Sequence, residues 1–239
     1  MDTVALAAAA GATKSIGLFP HVLLAPVWPP VLLAKETADI DAVSGGRLTL
    51  ALGVGIRPDD FVVDGLGSSG RGRRFDHDLA VYHDVWQGKP VGGGPNPAVT
   101  SGARQIPLVL GGTAPASFER MARWGIGYVA SARSAAEVAT NFEKARAAWA
   151  KAGREGSPYL VAVVYFGLGD LEQSCANVWD YTSIFGEEVA RFIADSMVIG
   201  PGAVRDTVAA FADIGADELI FSPGEGDLDE VTRLADTVL

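Results

Sequence analysis

The chain has 239 residues, 49% of them hydrophobic, which is enough apolar mass for one sizeable core and a single domain over 1–239. Its net charge of −10 argues against nucleic acid and an anionic membrane surface as partners. The only cysteine, Cys175, excludes an intramolecular disulfide and a cysteine metal cluster and fits a reducing cytoplasm. Its neighbours Gln173, Ser174 and Ala176 offer no activating base, so Cys175 reads as a packing residue of a helix.

In chain order, the amino terminus MDTVALAAAAGATKS carries Asp2 and no basic segment, which makes it a poor secretory signal. Ile16 to Ala34 is apolar enough to span a bilayer, but Pro20, Pro26, Pro29 and Pro30 would break a spanning helix. It reads instead as a buried strand, a loop and the start of the next helix. Strands are predicted at Ser15–Leu24, Arg47–Val54, Pro107–Leu110, Gly127–Ser131, Tyr159–Phe166 and Glu218–Phe221. All six are apolar on both faces, as parallel strands covered by helices must be. Between them run helical stripes, Val138, Phe142, Ala145 and Trp149 in one and Val204, Val208 and Phe211 in another. Gly153 and Gly215 stand where helices end. This alternation gives a parallel sheet, either a barrel or an open doubly wound sheet. No G-x-G-x-x-G follows the first strand, which weakens the dinucleotide-binding open sheet.

The most specific wording is Leu32 to Phe61, LLAKETADIDAVSGGRLTLALGVGIRPDDF. A helix runs into a Ser-Gly-Gly-Arg-Leu turn, and the next strand ends in Gly-Val-Gly. This closely resembles the luciferase-like monooxygenase family, barrel enzymes that use reduced FMN or the deazaflavin F420. The resemblance implies an α/β fold derived from the TIM (β/α)8 barrel, incomplete, with six parallel strands. It starts at the third strand of the family's barrel, with Met1 to Thr13 as the helix before it. A barrel lacking two neighbouring strands has two unpaired edges, so the chain is a truncated sequence, is covered by another chain, or is remodelled. Open edges and an apolar first strand in an acidic protein lead to the expectation of a homodimer.

Three segments carry the candidate site. Within the first strand, the resemblance implies a bulge with a non-prolyl cis peptide, where Phe19, Pro20 and His21 back the cofactor ring. Pro20 departs from the small residues usual there. The alternative is a proline-tolerated irregularity with His21 as a core histidine. At the end of the second strand, Gly53 and Gly55 allow backbone to approach a ligand, because no Cβ intervenes. The resemblance sets both against the cofactor, while Asp59 and Asp60 read better as caps of a short helix. At the end of the third strand, Gly111, Gly112 and Thr113 precede a helix, an arrangement that makes an anion site from amides and a hydroxyl. In the family this position holds the phosphate of FMN or F420; the alternative is a plain turn with Thr113 as N-cap.

Arg71, Arg73 and Arg74 open a later helix. They suit either an anion such as the F420 tail or, the preferred reading, a solvated face paired with Asp76 and Asp78. His77 and His83 are six apart, off one face, and no metal site is expected. Gly92 to Gly102 reads as a flexible loop or lid, and Glu225 and Asp227 as turn residues.

The functional expectation is a flavin- or F420-dependent oxidoreductase or monooxygenase acting on a small organic substrate, with a flavin reductase as a further partner. FMN and F420 are not separated by the residues, although the wording of the loops leans toward F420. Family acid/base histidines commonly come from the second strand, leaving His21 as the catalytic candidate. The competing reading is a non-catalytic flavin-binding or scaffold paralogue. A hydrolase lacks support, since there is no nucleophile elbow, H-x-x-x-H or carboxylate cluster.

Overall fold

A computed structural model describes residues 3–61, 65, 67–91, 93–99, 103–131 and 134–239, and divides the chain into two compact units, 1–127 and 128–239. The first unit contains α1 (Thr3–Ala12), β1 (Leu23–Leu24), α2 (Pro30–Ser44), β2 (Leu50–Gly53), α3 (Arg71–Trp86), β3 (Leu108–Gly111) and α4 (Pro115–Trp124). Its strands lie in the order β1-β2-β3, all parallel. Residues Leu50, Ala51 and Leu52 are fully buried, and β3 is equally apolar, because helices cover one face of the sheet and core residues the other.

The Ser44-Gly45-Gly46-Arg47-Leu48 turn is a structural lock. Gly45 and Gly46 have φ of 72° and 83°, so both sit in the left-handed region that ends a helix, and their amides return to Ala42 and Asp41 carbonyls. Ser44 Oγ donates to the Asp41 carbonyl at 2.8 Å and accepts from the Arg47 amide at 3.0 Å. The Arg47 guanidinium then gathers the Ser44 carbonyl, both the hydroxyl and the carbonyl of Thr13, and the Ile16 and Ala10 carbonyls. One cation thereby closes the carboxyl end of α1, where orphan carbonyls need donors. Beside it, Arg104 holds the buried Asp41 bidentately at 2.6 and 2.9 Å and also donates to the Leu48 carbonyl at 2.7 Å.

The second unit begins as β4 (Gly127–Ala130) passes the boundary. It contains α5 (Ala135–Lys151), β5 (Tyr159–Gly167), α6 (Leu171–Thr182), α7 (Glu187–Asp195), β6 (Val198–Ile199), α8 (Gly200–Asp213), β7 (Glu218–Pro223) and α9 (Asp229–Val238). β5 is central, with β4 and the short β6 beside it and β7 parallel along six residues. A full capping box of Ser134 and Glu137 starts α5, and Val138, Phe142, Ala145 and Trp149 form its buried face. Gly153 and Gly215 adopt φ of 70° and 77° just past α5 and α8.

All six expected strands are present, and the two-residue β6 is an addition. The first is shorter than its apolar run: Leu18 makes an isolated bridge to Leu48, and regular pairing resumes only at Leu23. Pro20 has no amide to give a ladder, which accounts for the interruption. On α8 Val204 and Phe211 are buried with Thr207 partly buried between them, and Val208 is 40% exposed, a correction to the sequence stripe. Cys175 sits on α6 against the Val178, Ala194 and Met197 cluster, as a packing residue does. Residues 92 and 100–102 of the expected glycine loop lie outside the described residues; Pro90, just before the loop, and Pro97 within it form one antiparallel bridge. No helix among the described residues is long and apolar enough to cross a membrane.

Candidate functional site

The sequence candidates all fall in the first unit, and strand register brings them to one level. Leu24 is opposite Gly53, and Leu52 is opposite Leu110, so the chain leaves β1, β2 and β3 together at Leu24, Gly53 and Gly111. This is the carboxyl end of three parallel strands, the end at which α/β folds hold their ligands.

The first strand bulges where the resemblance implied. From Leu18 to Leu23 the chain takes five steps, whereas its partner takes four from Leu48 to Leu52. One extra residue is therefore accommodated among Phe19, Pro20, His21 and Val22, which re-aims their side chains. The bond between His21 and Val22 is a non-prolyl cis peptide, one bond beyond Pro20 itself. Pro20 is buried, while Phe19 and His21 are half-buried. Burial lowers the basicity of His21, which favours the neutral imidazole, a proton acceptor at one ring nitrogen and a hydrogen-bond donor at the other.

The glycines of β2 serve side chains of the same unit. A Cβ on Gly53 would stand 3.0 Å from Val22 Cγ2, and one on Gly55 would stand 3.0 Å from Phe61 Cζ and 3.4 Å from Leu24 Cδ1. Gly55 also needs its φ of 72°. Close approach is real at both positions, and what approaches is Val22 at one and Phe61 with Leu24 at the other. A single 3-10 turn, Pro58–Phe61, follows, and Asp59 and Asp60 lie within it rather than capping it; the Asp59 side chain lies outside the described residues.

At the third segment, β3 ends at Gly111, and Pro115 occupies the first position of α4. The N-cap is Ala114, not Thr113, and no side chain caps the helix; this corrects the turn reading that made Thr113 the cap. Thr113 is exposed. Gly112 has φ of 120°, and a Cβ there would lie 2.5 Å from Ser117 Oγ. The buried Ser117 hydroxyl thus points at the Gly111-Gly112 turn from the third position of α4, a neighbour that sequence reading passed over. Pro115 was the signal, because it fixes where the helix starts and therefore which way residue 117 faces.

The other candidates have structural partners. Asp76 is bound by Arg120 at 2.7 and 3.1 Å, and Arg120 also donates to the Gly72 carbonyl at 3.2 Å. The expected pairing of Asp76 and Asp78 with the arginines of α3 is therefore corrected for Asp76. Asp78 is buried and pushed up to about 6 by that burial, with His77 and Arg74 acting in the opposite direction. His83 stacks on Trp124 at 5.0 Å, and its Nδ1 lies 2.7 Å from Gln105 Oε1, so it and His77 do not form a pair. Glu225 accepts from the Asp170 amide, and Asp227 accepts from the Asp229 amide and Arg233, as turn residues do.

The sequence profile of luciferase-like monooxygenases matches residues 2–175. The chain belongs to the luciferase-like monooxygenase family. An uncharacterized protein of Mycobacterium tuberculosis is 28% identical over 169 residues, covering 67% of this chain and 60% of that protein. A second from the same organism is 30% identical over 131 residues, 52% and 46% of the two chains. The chain thus spans at most about 60% of the length of these curated relatives. Among solved structures, an F420-dependent secondary alcohol dehydrogenase superposes with a TM-score of 0.80 at 16% identity, covering 100% of this chain and 83% of that one. The coenzyme F420-dependent tetrahydromethanopterin reductase of Methanopyrus kandleri gives 0.76 at 17% identity, covering 98% and 85%. These likenesses carry the fold: it is the α/β architecture derived from the TIM barrel that the sequence implied.

Proposed function

We propose that this member of the family is an oxidoreductase or monooxygenase that holds F420 or FMN at the carboxyl ends of β1, β2 and β3 and acts on a small organic substrate. The observation that carries the reading is the start of α4. Among the described residues no side chain caps this helix, the Ser117 hydroxyl turns toward Gly112, and the neighbouring Thr113 is exposed. Pro115 has no amide and the Ser117 amide goes to the Ala114 carbonyl, so it is the positive end of the helix with the two hydroxyls that suits a phosphate. Gly111, Gly112, Thr113 and Ser117 would hold that group, and Phe19, Pro20 and His21 would form the wall behind the ring, with Gly53 and Gly55 supplying backbone. Bound there, the reduced cofactor would supply a hydride in the case of F420, or activate dioxygen in the case of FMN.

The chain's own contribution would be to keep water from the ring with the apolar bulge and to accept a proton at His21, whose neutral form burial favours. Solved neighbours bind each cofactor, F420 in the alcohol dehydrogenase and FMN in a Baeyer-Villiger monooxygenase of Pseudomonas putida. With FMN, a flavin reductase is the expected partner. Among the described residues β1 pairs only with β2, and β7 only with β5, which favours a homodimer, while the single Cys175 fits a reducing cytoplasm. Titration with each cofactor tests the site: Thr113→Val and Ser117→Ala should each weaken binding about fivefold, the worth of one hydrogen bond. Unchanged affinity in both variants would put the phosphate elsewhere.

A further inference from the structure

The arginine turn at the start of α3 has lost the acid that the sequence offered it. Asp76 is taken by Arg120, itself only 7% exposed, and Asp78 turns inward and is buried. No ion pair is found for Arg71 or Arg73 among the described residues. Arg71 reaches only the Ser68 carbonyl, at 3.5 Å, and lies 5.8 Å over the Phe61 ring, while Arg73 is exposed with its guanidinium beside Gly70. The first turn of α3 holds no acidic residue, so these cations stand where the helix dipole disfavours them. In a protein of net charge −10, uncompensated arginines in a locally unfavourable place are a conflict that a ligand resolves.

Their position links the two halves of the site. Phe61, beneath Arg71, closes with its Cζ against Gly55. On the other side, the Gly72 carbonyl accepts from Arg120, one helical turn along α4 from Ser117. The arginine turn therefore runs between the Gly53–Gly55 loop and the first half of α4.

We propose that Arg71 and Arg73 form a subsite for an oligoanionic chain, a run of carboxylates or phosphates extending beyond the group held at Gly111–Ser117. The inference rests on the cofactor reading above for its choice of source: the glutamate tail of F420 supplies such a chain, and FMN does not. A separate polyanionic molecule is the other source of the same chemistry. Arg71 is steadied by the Phe61 face, and the exposed Arg73 is open to the ligand.

The test compares F420 carrying several glutamates with the same deazaflavin phosphate lacking them, by ring fluorescence at low salt. The proteins are the wild type, the double variant Arg71→Gln/Arg73→Gln and Arg73→Lys. Tetraglutamate alone is titrated in parallel by calorimetry. The tailed form should bind about tenfold more tightly to the wild type, two exposed charged contacts' worth, and the gain should vanish in the double variant and in high salt. Arg73→Lys should keep part of it. Circular dichroism on each variant confirms that it is folded, since Arg71 covers the buried Phe61 ring and its removal can cost some stability. Equal binding of tailed and tail-less forms by the wild type, or a gain untouched by the double variant, overturns the subsite while leaving the cofactor site standing. If neither deazaflavin binds but tetraglutamate does so through the arginines, the subsite stands for a free polyanion and the cofactor reading fails. If no probe binds, both fall.

Discussion

Arg47 is the side chain whose removal separates structure from chemistry most cleanly, because it sits in the wording that is most specific to the family. Arg47→Met keeps the aliphatic stem and deletes a guanidinium that makes five hydrogen bonds, to Ser44, to Thr13 twice, to Ile16 and to Ala10. Hydrogen bonds to a charged group are each worth about 1.5–3 kcal/mol, but they are not additive, and the partly buried carbonyls of α1 can recover water. The expected loss is therefore about 2–3 kcal/mol, or about 5–10 °C in Tm for a chain of this size. Urea unfolding followed by circular dichroism measures it, with cofactor affinity of the folded fraction as the second readout. Arg47→Lys should recover under half of the loss, since an ammonium cannot reach acceptors on three sides. A loss below about 0.5 kcal/mol would refute the lock, being no more than an ordinary surface substitution costs. So would a collapse of cofactor affinity at unchanged stability, which would make Arg47 a ligand residue.

Gly112→Ala should destabilise the chain by about 2 kcal/mol or more, because its Cβ would lie 2.5 Å from Ser117 Oγ at a φ of 120°. Adding Ser117→Ala should recover only part of this loss in the same unfolding assay, since Ser117 Cβ would still be 3.1 Å away. Asp78, raised from 3.8 to about 6 by burial, binds its proton more tightly folded than unfolded. Its contribution is therefore fully present below pH 3.8 and is lost as pH rises through 6. Asp78→Asn should flatten the pH dependence of stability across that window and leave the variant more stable than the wild type at pH 8; an unchanged slope would show that Asp78 is not its source. Among the described residues the buried Tyr82 hydroxyl has no hydrogen-bond partner, so Tyr82→Phe should be neutral or stabilising by about 1 kcal/mol, and a clear loss would reveal a hidden partner.

Strands such as Leu50–Gly53 and Tyr159–Gly167 were legible because burial on both faces is written as a continuous apolar run, whereas β7 showed the same apolar wording although none of its residues is fully buried. The two-residue β6 was not legible, since its pairing with Phe166 and Gly167 depends on where α7 ends rather than on any local pattern. The level at which Leu24, Gly53 and Gly111 emerge followed from the strand ends. The direction of Ser117, by contrast, depended on Ala114 rather than Thr113 being the cap. The arginines of α3 were misread for a non-local reason. Their nearest acid in sequence, Asp76, is satisfied by Arg120, which lies 44 residues away.

The central claim is that the start of α4 holds a cofactor phosphate, and one titration addresses it directly. Fluorescence titration of F420 and of reduced FMN is carried out against the wild type and the double variant Thr113→Val/Ser117→Ala, with folding verified by circular dichroism. Saturable binding of at least one cofactor by the wild type, weakened about tenfold or more in the double variant, is the predicted result. Binding of equal strength to both proteins would contradict it.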